Sequence, residues 1–552
     1  MENPAPTDAQ WQVSEVPPGS ILDRGMSGEK RTDDRPEEDG TLNSGDPEQI
    51  PSAAIYLLKA DRDQRKEDAE RMRRESDPPI VVRDGSTDHT AKGRAGEQSG
   101  QSTHARDTNT PAPSVSSTLS ALRTKAEQHP EHQFRALARL LDCQMLREAF
   151  ACLKRGAAPG IDGVAHAEYA ENLEERLVDL EARLKEGRYR ATSVKRQWIA
   201  KPGSAKMRPL GIPVIEDKIV QQAVKMILEA IWEPDFVDES VGYRRGKGAR
   251  QSSMDLSRAL NGGVYRWVVE ADIRGFFDNI RHDWLVRMLE ERIADRQLVR
   301  LIVKWLKAGV LENDGRTLHP ATGTPQGGVI SPILANIYLH YVQDLWIKKV
   351  VAKHSEGRVL FMRYADDSVV CFEKENDAKA YLRALPERLG KFGLQLAEEK
   401  SSLVKFNRWE PDDSGSFTFL GFDFYWARTR RNPMHTVVKR RTNSKKFRAS
   451  LLALKEWLKL ARSLRLPDLL AVLRRKLQGY WNYYGVIGNS AMTSRYAHEA
   501  YLMLFKWLNR RSQRRSMTWA QFTARAKTWN LPPPRIVEIL PPGAFRQPAK
   551  PA

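Results

Sequence analysis

Phe361-Met-Arg-Tyr-Ala-Asp-Asp-Ser-Val-Val-Cys-Phe372 is an apolar, strand-forming run broken at its middle by two adjacent acids. Strands disfavour Asp, whose short charged side chain gains little on a pleated, half-buried surface. The economical reading is a β-hairpin in which Tyr364 ends one strand, Ser368 starts the next, and Asp366 and Asp367 stand exposed at the turn. Two carboxylates held together repel by on the order of a few kcal/mol at an effective dielectric near ~20, and a bound divalent cation reverses that cost. Hard cations such as Mg2+ take oxygen ligands. By itself, an Asp-Asp pair most often marks an ordinary turn.

A further acid lies upstream, in Val268-Val-Glu-Ala-Asp-Ile-Arg-Gly-Phe-Phe-Asp278, where Asp272 ends an apolar strand and two aromatics follow. Asp272 and Asp366 on neighbouring strand ends can share two metal ions, the arrangement that activates an attacking 3′ hydroxyl and stabilises a leaving pyrophosphate. Phosphoryl transfer needs little other covalent chemistry from a protein. Phe277, five residues after Asp272, suits core packing equally well.

Other segments gain meaning around these acids. Lys201, Lys206 and Arg208 flank a Pro-Gly-Ser turn between two extended stretches, so a hairpin there aims three cations at a triphosphate or simply forms a solvated basic turn. In Gly323-Thr-Pro-Gln-Gly-Gly328 the paired glycines let backbone approach a ligand closely, and Ser331 and Pro332 read as an N-cap and first helical turn. Gln326 is then presented beside a helix N-terminus, with a plain loop and cap as the alternative. Gly156-Ala-Ala-Pro-Gly-Ile-Asp-Gly163 reads as a tight irregular loop or a linker between helices.

The chain has 552 residues and a net charge of +19, which favours a polyanionic partner. Residues 1–117 hold 15 Lys/Arg against 23 Asp/Glu, leaving 74 against 47 in the remainder, so the positive excess sits where a binding surface can form. No run of about 18 apolar residues occurs and no signal-peptide pattern opens the chain, so a membrane is not an expected partner. Cys143, Cys152 and Cys371 are too few and scattered for a disulfide framework or a four-ligand zinc site.

Residues 1–117 are rich in Pro, Gly, Ser, Asp and Thr, a composition that predicts disorder, with a solvated helix over 52–75 as the exception. Order is expected to begin near Leu119, with Leu119, Leu122, Phe134, Leu137, Leu140 and Leu141 at helical spacing. Helices suit 171–186 and 219–231; strands suit 194–200, 264–272, 359–364, 368–372 and 417–425. From about Lys439 to Arg515 the strand signal gives way to Leu, Trp and Tyr at helical spacing among many Arg and Lys, an all-helical basic domain. Its Gly479-Tyr-Trp-Asn-Tyr-Tyr-Gly-Val-Ile-Gly-Asn489 block offers aromatics that serve either as core or as stacking platforms, and the run Arg510-Arg-Ser-Gln-Arg-Arg515 offers phosphate contacts or a solvated helix end.

Tyr364-Ala-Asp-Asp367, with Asp272 and Phe277, resembles the catalytic palm of reverse transcriptases, and other blocks follow in that family's order. Residues 156–163 resemble the opening block of group II intron-encoded enzymes, Arg208-Pro-Leu-Gly-Ile-Pro213 their fingers block, and 323–328 with Ser331-Pro-Ile-Leu-Ala-Asn336 their template and nucleotide loop. Glu399-Lys400 and Phe419-Leu-Gly-Phe422 resemble the last palm blocks, and 479–489 the maturase thumb. The resemblance implies an α+β fold, a right-hand polymerase: a disordered acidic extension (1–117), fingers and palm (118–435), a helical thumb or maturase domain (436–515) and a short basic tail of DNA contact (516–552). It implies two Mg2+ ions held by Asp272, Asp366, Asp367 and the backbone carbonyl of Ile273. Lys201, Lys206, Arg208, Gln326 and Phe277 would bind the nucleotide, Phe277 as a steric gate against a ribose 2′ hydroxyl.

Nucleic-acid contact is implied for Gly327, Lys400, Tyr480, Tyr483, Arg510, Arg511, Arg514 and Arg515. Implied partners are group II intron RNA, target DNA as primer and deoxynucleotide triphosphates, with a homodimer left open and a bacterial cytoplasmic location expected, nucleoid association included. Departures from the pattern are Arg244-Arg-Gly-Lys247 in place of Arg-Pro-Gly-Arg, and Ala200 in place of a common proline. No Cys follows Cys371 and His498 alone lies in the last hundred residues, so a zinc-dependent nuclease is not expected here. Rival readings are a splicing-only RNA-binding maturase, which loss of a catalytic Asp would mark, and a retron, diversity-generating or defence reverse transcriptase.

Overall fold

A computed structural model describes residues 114–539, apart from 201–206, 313, 320, 430–431 and 512–516. The expectations for disorder before residue 114, for a helix over 52–75, and for Lys201, Lys206, Arg514 and Arg515 therefore lie outside the described residues. Helix α1 (Val115–Gln128) starts slightly before the expected boundary, because Ser114 caps it by accepting from the Ser117 amide. Helices α2 (Leu173–Lys185) and α3 (Ile215–Trp232) follow where their periodicity places them. Phe134 to Leu141 differ: Phe134 pairs with Ile293 in an isolated bridge, and only Leu137–Leu140 coil, as a 3-10 turn. Their apolar spacing reports burial in the core rather than a helix.

Among the described residues the strands form three sheets. Strands β1 (Val194–Ala200) and β2 (Met207–Ile212) make an antiparallel ribbon, extended by the short β4 (Val310–Leu311) and β5 (Thr317–Leu318). The central sheet has the order β6-β7-β3-β8, from Val359–Tyr364, Asp367–Phe372, Trp267–Ala271 and Ser402–Lys405, antiparallel throughout. Its alternation sends Val269, Phe361, Val370 and Phe372 into one core and Val268, Met362, Val369 and Cys371 into another, so both faces are covered. Helix α4 (Arg296–Lys307), α5 (Ser331–Leu339) and α6 (Glu375–Lys391) contribute to the first core.

The stretch 417–425, expected as one strand, is two: β9 (Phe417–Phe419) and the start of β10 (Phe422–Arg428). Leu420 and Gly421 take left-handed φ of 51° and 78°, the conformation a two-residue hairpin needs, and strand propensity alone hides it. Strand β11 (Thr436–Thr442) completes the third sheet and runs beyond Lys439, where the helical domain was expected to begin.

Helices α7 (Ser444–Ala461), α8 (Leu466–Tyr484) and α9 (Ser490–Leu508) then share a core with α10 (Trp519–Ala526). Residues 517–531 therefore pack into this helical core. Thr518 and Gln521 form a reciprocal cap on α10, and Phe522, Trp529 and Leu531 are buried. No helix among the described residues is long and apolar enough to cross a membrane.

Candidate active site

Register decides the site. Ala271 of β3 stands opposite Ser368 of β7, and Tyr364 of β6 stands opposite Asp367. Asp272, the residue after Ala271, therefore lies at the same sheet end as the turn carrying Asp366 and Asp367. The turn residues are Ala365 and Asp366, with Ala365 at φ 57°, a conformation costing a non-glycine residue about 1–2 kcal/mol. Asp367 is exposed and Asp366 half-buried. Desolvation, then the charges of Asp366 and Asp272, raise the Asp367 carboxyl to about 6. Asp366 is also raised, chiefly by burial and then by Asp272, while Arg208 pulls it down. Lys446 and Lys400 oppose the rise at Asp367; Lys446, in the first turn of α7, is a neighbour that the sequence did not suggest.

The turn is held from below by a buried arginine that sequence reasoning missed. Arg363 is fully buried, bonds both carboxylate oxygens of Asp344 at 2.7 and 2.6 Å, donates to Asn336 Oδ1 at 3.2 Å and to Ser240 Oγ at 2.5 Å, and reaches the Ala365 carbonyl at 2.9 Å. Burial pushes Asp344 up, and the guanidinium beside it pulls it back. The loop 239–243 passes over the same turn: Arg363 donates its amide to the Glu239 carbonyl and the Val241 amide donates to the Arg363 carbonyl, both at 2.9 Å. A Cβ on Gly242 would lie 2.2 Å from the Ala365 amide nitrogen, so only glycine fits. Next to it Tyr243, at φ 61° and 48% exposed, lies near Asp366, whose charge contributes to raising the Tyr243 hydroxyl after burial.

Several expected residues converge here. Asp272 is half-buried, ion-paired with Lys400 Nζ, and its carbonyl accepts from Ala397 at 2.8 Å. Ile273 is buried and bridged to Leu396. Phe277 is half-buried against the core, edge-on to Phe276, and its carbonyl accepts from the Thr324 amide at 2.9 Å, which ties it to the 323–328 loop. Gln326 accepts at its carbonyl from the Gly211 amide at 2.6 Å, joining that loop to β2, and exposed Gly327 follows at φ 108°. Arg208 projects from β2, exposed.

Other expected residues are placed differently. Ser331 is the first helical residue rather than an N-cap; its hydroxyl donates to the Pro325 carbonyl and accepts from Thr324, which fixes the loop instead. Tyr480 is buried and stacked 3.6 Å from Tyr496, and Tyr483 stacks on Phe422 and donates to the Leu420 carbonyl. The Tyr480 ring is therefore packed between helices α8 and α9 and the Tyr483 ring against the third sheet, neither on a free stacking surface. Arg244 is buried on Glu233 and the Val237 and Ser240 carbonyls, a loop brace. Arg510 lies over the Trp507 ring and Arg511 is exposed, both at the end of α9. Among the described residues no three His, Cys, Asp or Glu side chains are gathered tightly enough to hold a metal ion as they stand, since Asp272 is turned to Lys400.

Residues 199–424 match the family model for reverse transcriptase (RNA-dependent DNA polymerase), and residues 444–525 match that for the group II intron maturase-specific domain. Protein YkfC of Escherichia coli K12 is 31% identical over 371 residues, 60% of this chain and 94% of that protein. Group II intron-encoded protein LtrA of Lactococcus lactis is 29% identical over 442 residues, 65% of this chain and 72% of that one. The chain belongs to the group II intron-encoded reverse transcriptase/maturase family. A 91 kDa protein in the cob intron of Schizosaccharomyces pombe shares 39% identity over 161 residues, 29% of this chain and 20% of that protein. The reverse transcriptase/maturase is thus an RNA-directed DNA polymerase that also assists intron splicing, in a mixed helix-and-strand region followed by a helical one.

Proposed function

We propose that Asp272, Asp366 and Asp367 form the metal-binding centre at which this reverse transcriptase extends a target-DNA primer with deoxynucleotides copied from intron RNA. The observation that carries the reading is the β3–β7 register, which brings Asp272 to the same sheet end as the adjacent Asp366 and Asp367, 94 and 95 residues further along the chain. The donor set fits two Mg2+ ions: all-oxygen ligands, with Asp367 raised by desolvation first and then by the charges of Asp366 and Asp272, a penalty on its ionised form that a cation would relieve. The Ile273 carbonyl is a further oxygen beside Asp272. When bound, the ions would lower the cost of charge on attacking and leaving oxygens.

The protein's own groups do the remaining positioning. Asp272 turns from Lys400 toward Asp366 and Asp367, which frees the Lys400 ammonium for a phosphate oxygen. Arg208, with Lys201 and Lys206 beside it in sequence, neutralises the triphosphate. Gln326 and Gly327 form the floor on which the incoming base pair rests, and Phe277 crowds the 2′ position. Residues 118–435 serve as fingers and palm and the helices from Ser444 onward as the thumb that grips intron RNA, with Arg510 and Arg511 at the end of α9 and Arg514 and Arg515, a few residues on in sequence, as further contacts. A homodimer is compatible with this reading but no contact in it requires one.

The test is incorporation of labelled deoxynucleotides on an RNA template with a DNA primer and Mg2+, comparing wild type with Asp366→Ala. Loss of at least about a thousandfold, about 4 kcal/mol of barrier, is expected. A folded wild type that binds intron RNA and incorporates nothing, or an undiminished variant, would overturn the assignment.

A further inference from the structure

Helix α4 carries two unlike faces. Ile302, Trp305 and Leu306 are buried behind the loop that bears Pro325 and Gly328. On the outer face, Arg296, Arg300, Lys304 and Lys307 recur at helical spacing and, with Arg190, line a groove of about 920 Å3. Five cations face one acid, Glu290. The floor is apolar, made by Val286, Val299 and Val303.

The charge here is uncompensated. Arg190, Arg296, Arg300 and Lys307 are exposed, and none makes an ion pair or hydrogen bond through its side chain among the described residues, whereas exposed Arg147, Arg188 and Arg358 are each paired with a glutamate. Lys304 alone is tethered, to the Tyr189 carbonyl at 2.7 Å. Cations along one helix face stand about 6 Å apart per turn, a ladder that meets a run of backbone phosphates rather than a single small anion. Such an unpaired row adds self-repulsion, which a polyanion laid along it would offset.

We propose that this groove is a second RNA-binding surface, separate from the polymerase site, in which a folded RNA lays its phosphate backbone along α4 while sugar faces rest on the valine floor. It lies on the side of the helix away from the 323–328 loop, so RNA held there would not occupy the path of the copied template. RNA binding there is independent of the carboxylates Asp272, Asp366 and Asp367.

The test uses the full chain with Arg190→Ala, Arg296→Ala, Arg300→Ala and Lys307→Ala combined, and a partner variant with Arg190→Lys, Arg296→Lys, Arg300→Lys and Lys307→Arg. The probe is a labelled, folded RNA three-way junction, titrated across a series of salt concentrations, beside a B-form DNA duplex and primer extension on a short poly(rA)–oligo(dT). The alanine variant should bind the junction at least about tenfold more weakly, with its salt slope shallower by about 3, as expected for four lost phosphate contacts. The charge-preserving variant should match wild type, and short-template extension should persist in both. Unchanged junction affinity and slope would overturn the proposal. Loss confined to the DNA duplex would overturn it in favour of DNA, and equal loss of short-template extension from a variant with a wild-type melting curve would merge the groove with the polymerase cleft.

Discussion

Two buried arginines hold the two halves of this protein in contrasting ways. Arg363 sits inside the central sheet, its acid Asp344 only 19 residues away in the π-helical continuation of α5, and its other bonds reach Ser240, Asn336 and the strained Ala365. Arg440, on β11, takes its acid from Glu538, 98 residues onward in a segment without regular structure, which also accepts from the Ile487 amide. Both pairs are almost free of solvent. The first is a keystone under the Asp366–Asp367 turn; the second is a strap that ties the last segment to the joint between sheet and helices. A buried ion pair is weak evidence of stabilisation, but removing one partner leaves the other charge stranded.

The largest effect is expected from Arg363→Met. Stranding Asp344 should cost about 3–5 kcal/mol in urea unfolding, a large share of a typical domain's stability. Adding Asp344→Leu should recover most of that stability, yet primer extension should stay low because the Ala365 carbonyl is still unheld; recovery of both would reduce Arg363 to a packing residue. Glu538→Gln should cost less, about 1–3 kcal/mol, since its amide still accepts from Ile487. Its signature is faster hydrogen exchange at the Ile487 and Val537 amides with extension at saturating substrate nearly unchanged. A loss of extension matching that of the Arg363 variant would erase the distinction between keystone and strap.

The smallest change tests the carboxylates with no metal added. Because the folded Asp367 carboxyl is raised to about 6, the fold favours its protonated form, and stability falls as pH rises from the unfolded value near 3.8 to 6. Asp367→Asn should therefore stabilise the metal-free protein at pH 7, by on the order of 1 kcal/mol after solvent screening of this exposed group, and the gain should vanish below about pH 4. A destabilised variant at pH 7 would show that neither burial nor the charges of Asp366 and Asp272 penalise the ionised Asp367 carboxyl.

The hairpin at Tyr364–Asp367 was legible because two acids interrupt a run that otherwise reads as strand. That Asp272 and Asp366 stand on neighbouring strand ends was also expected, and β3 does pair with β7; the register of that pairing was not legible, since nothing local to Asp272 fixes it against a strand almost a hundred residues away. Arg363 escaped notice for a physical reason: β6 is buried on both faces, so alternation does not separate inside from outside. The available signal was a pair of misfits, an Arg in an apolar strand and Asp344 in the apolar helical run Tyr341 to Trp346. Tyr480 and Tyr483 illustrate the opposite failure, because an aromatic block has the same composition whether it greets a base or fills a core.

The strap also gives the molecule an order of completion during its synthesis. At about 5–20 residues per second, the 98 residues between Arg440 and Glu538 take roughly 5–20 s to emerge. Throughout that interval the central sheet, complete from residue 405, can already be closed, while Arg440 waits without its acid. A ribosome that pauses in this stretch would therefore display an assembled carboxylate site on a protein whose helical half is not yet fastened.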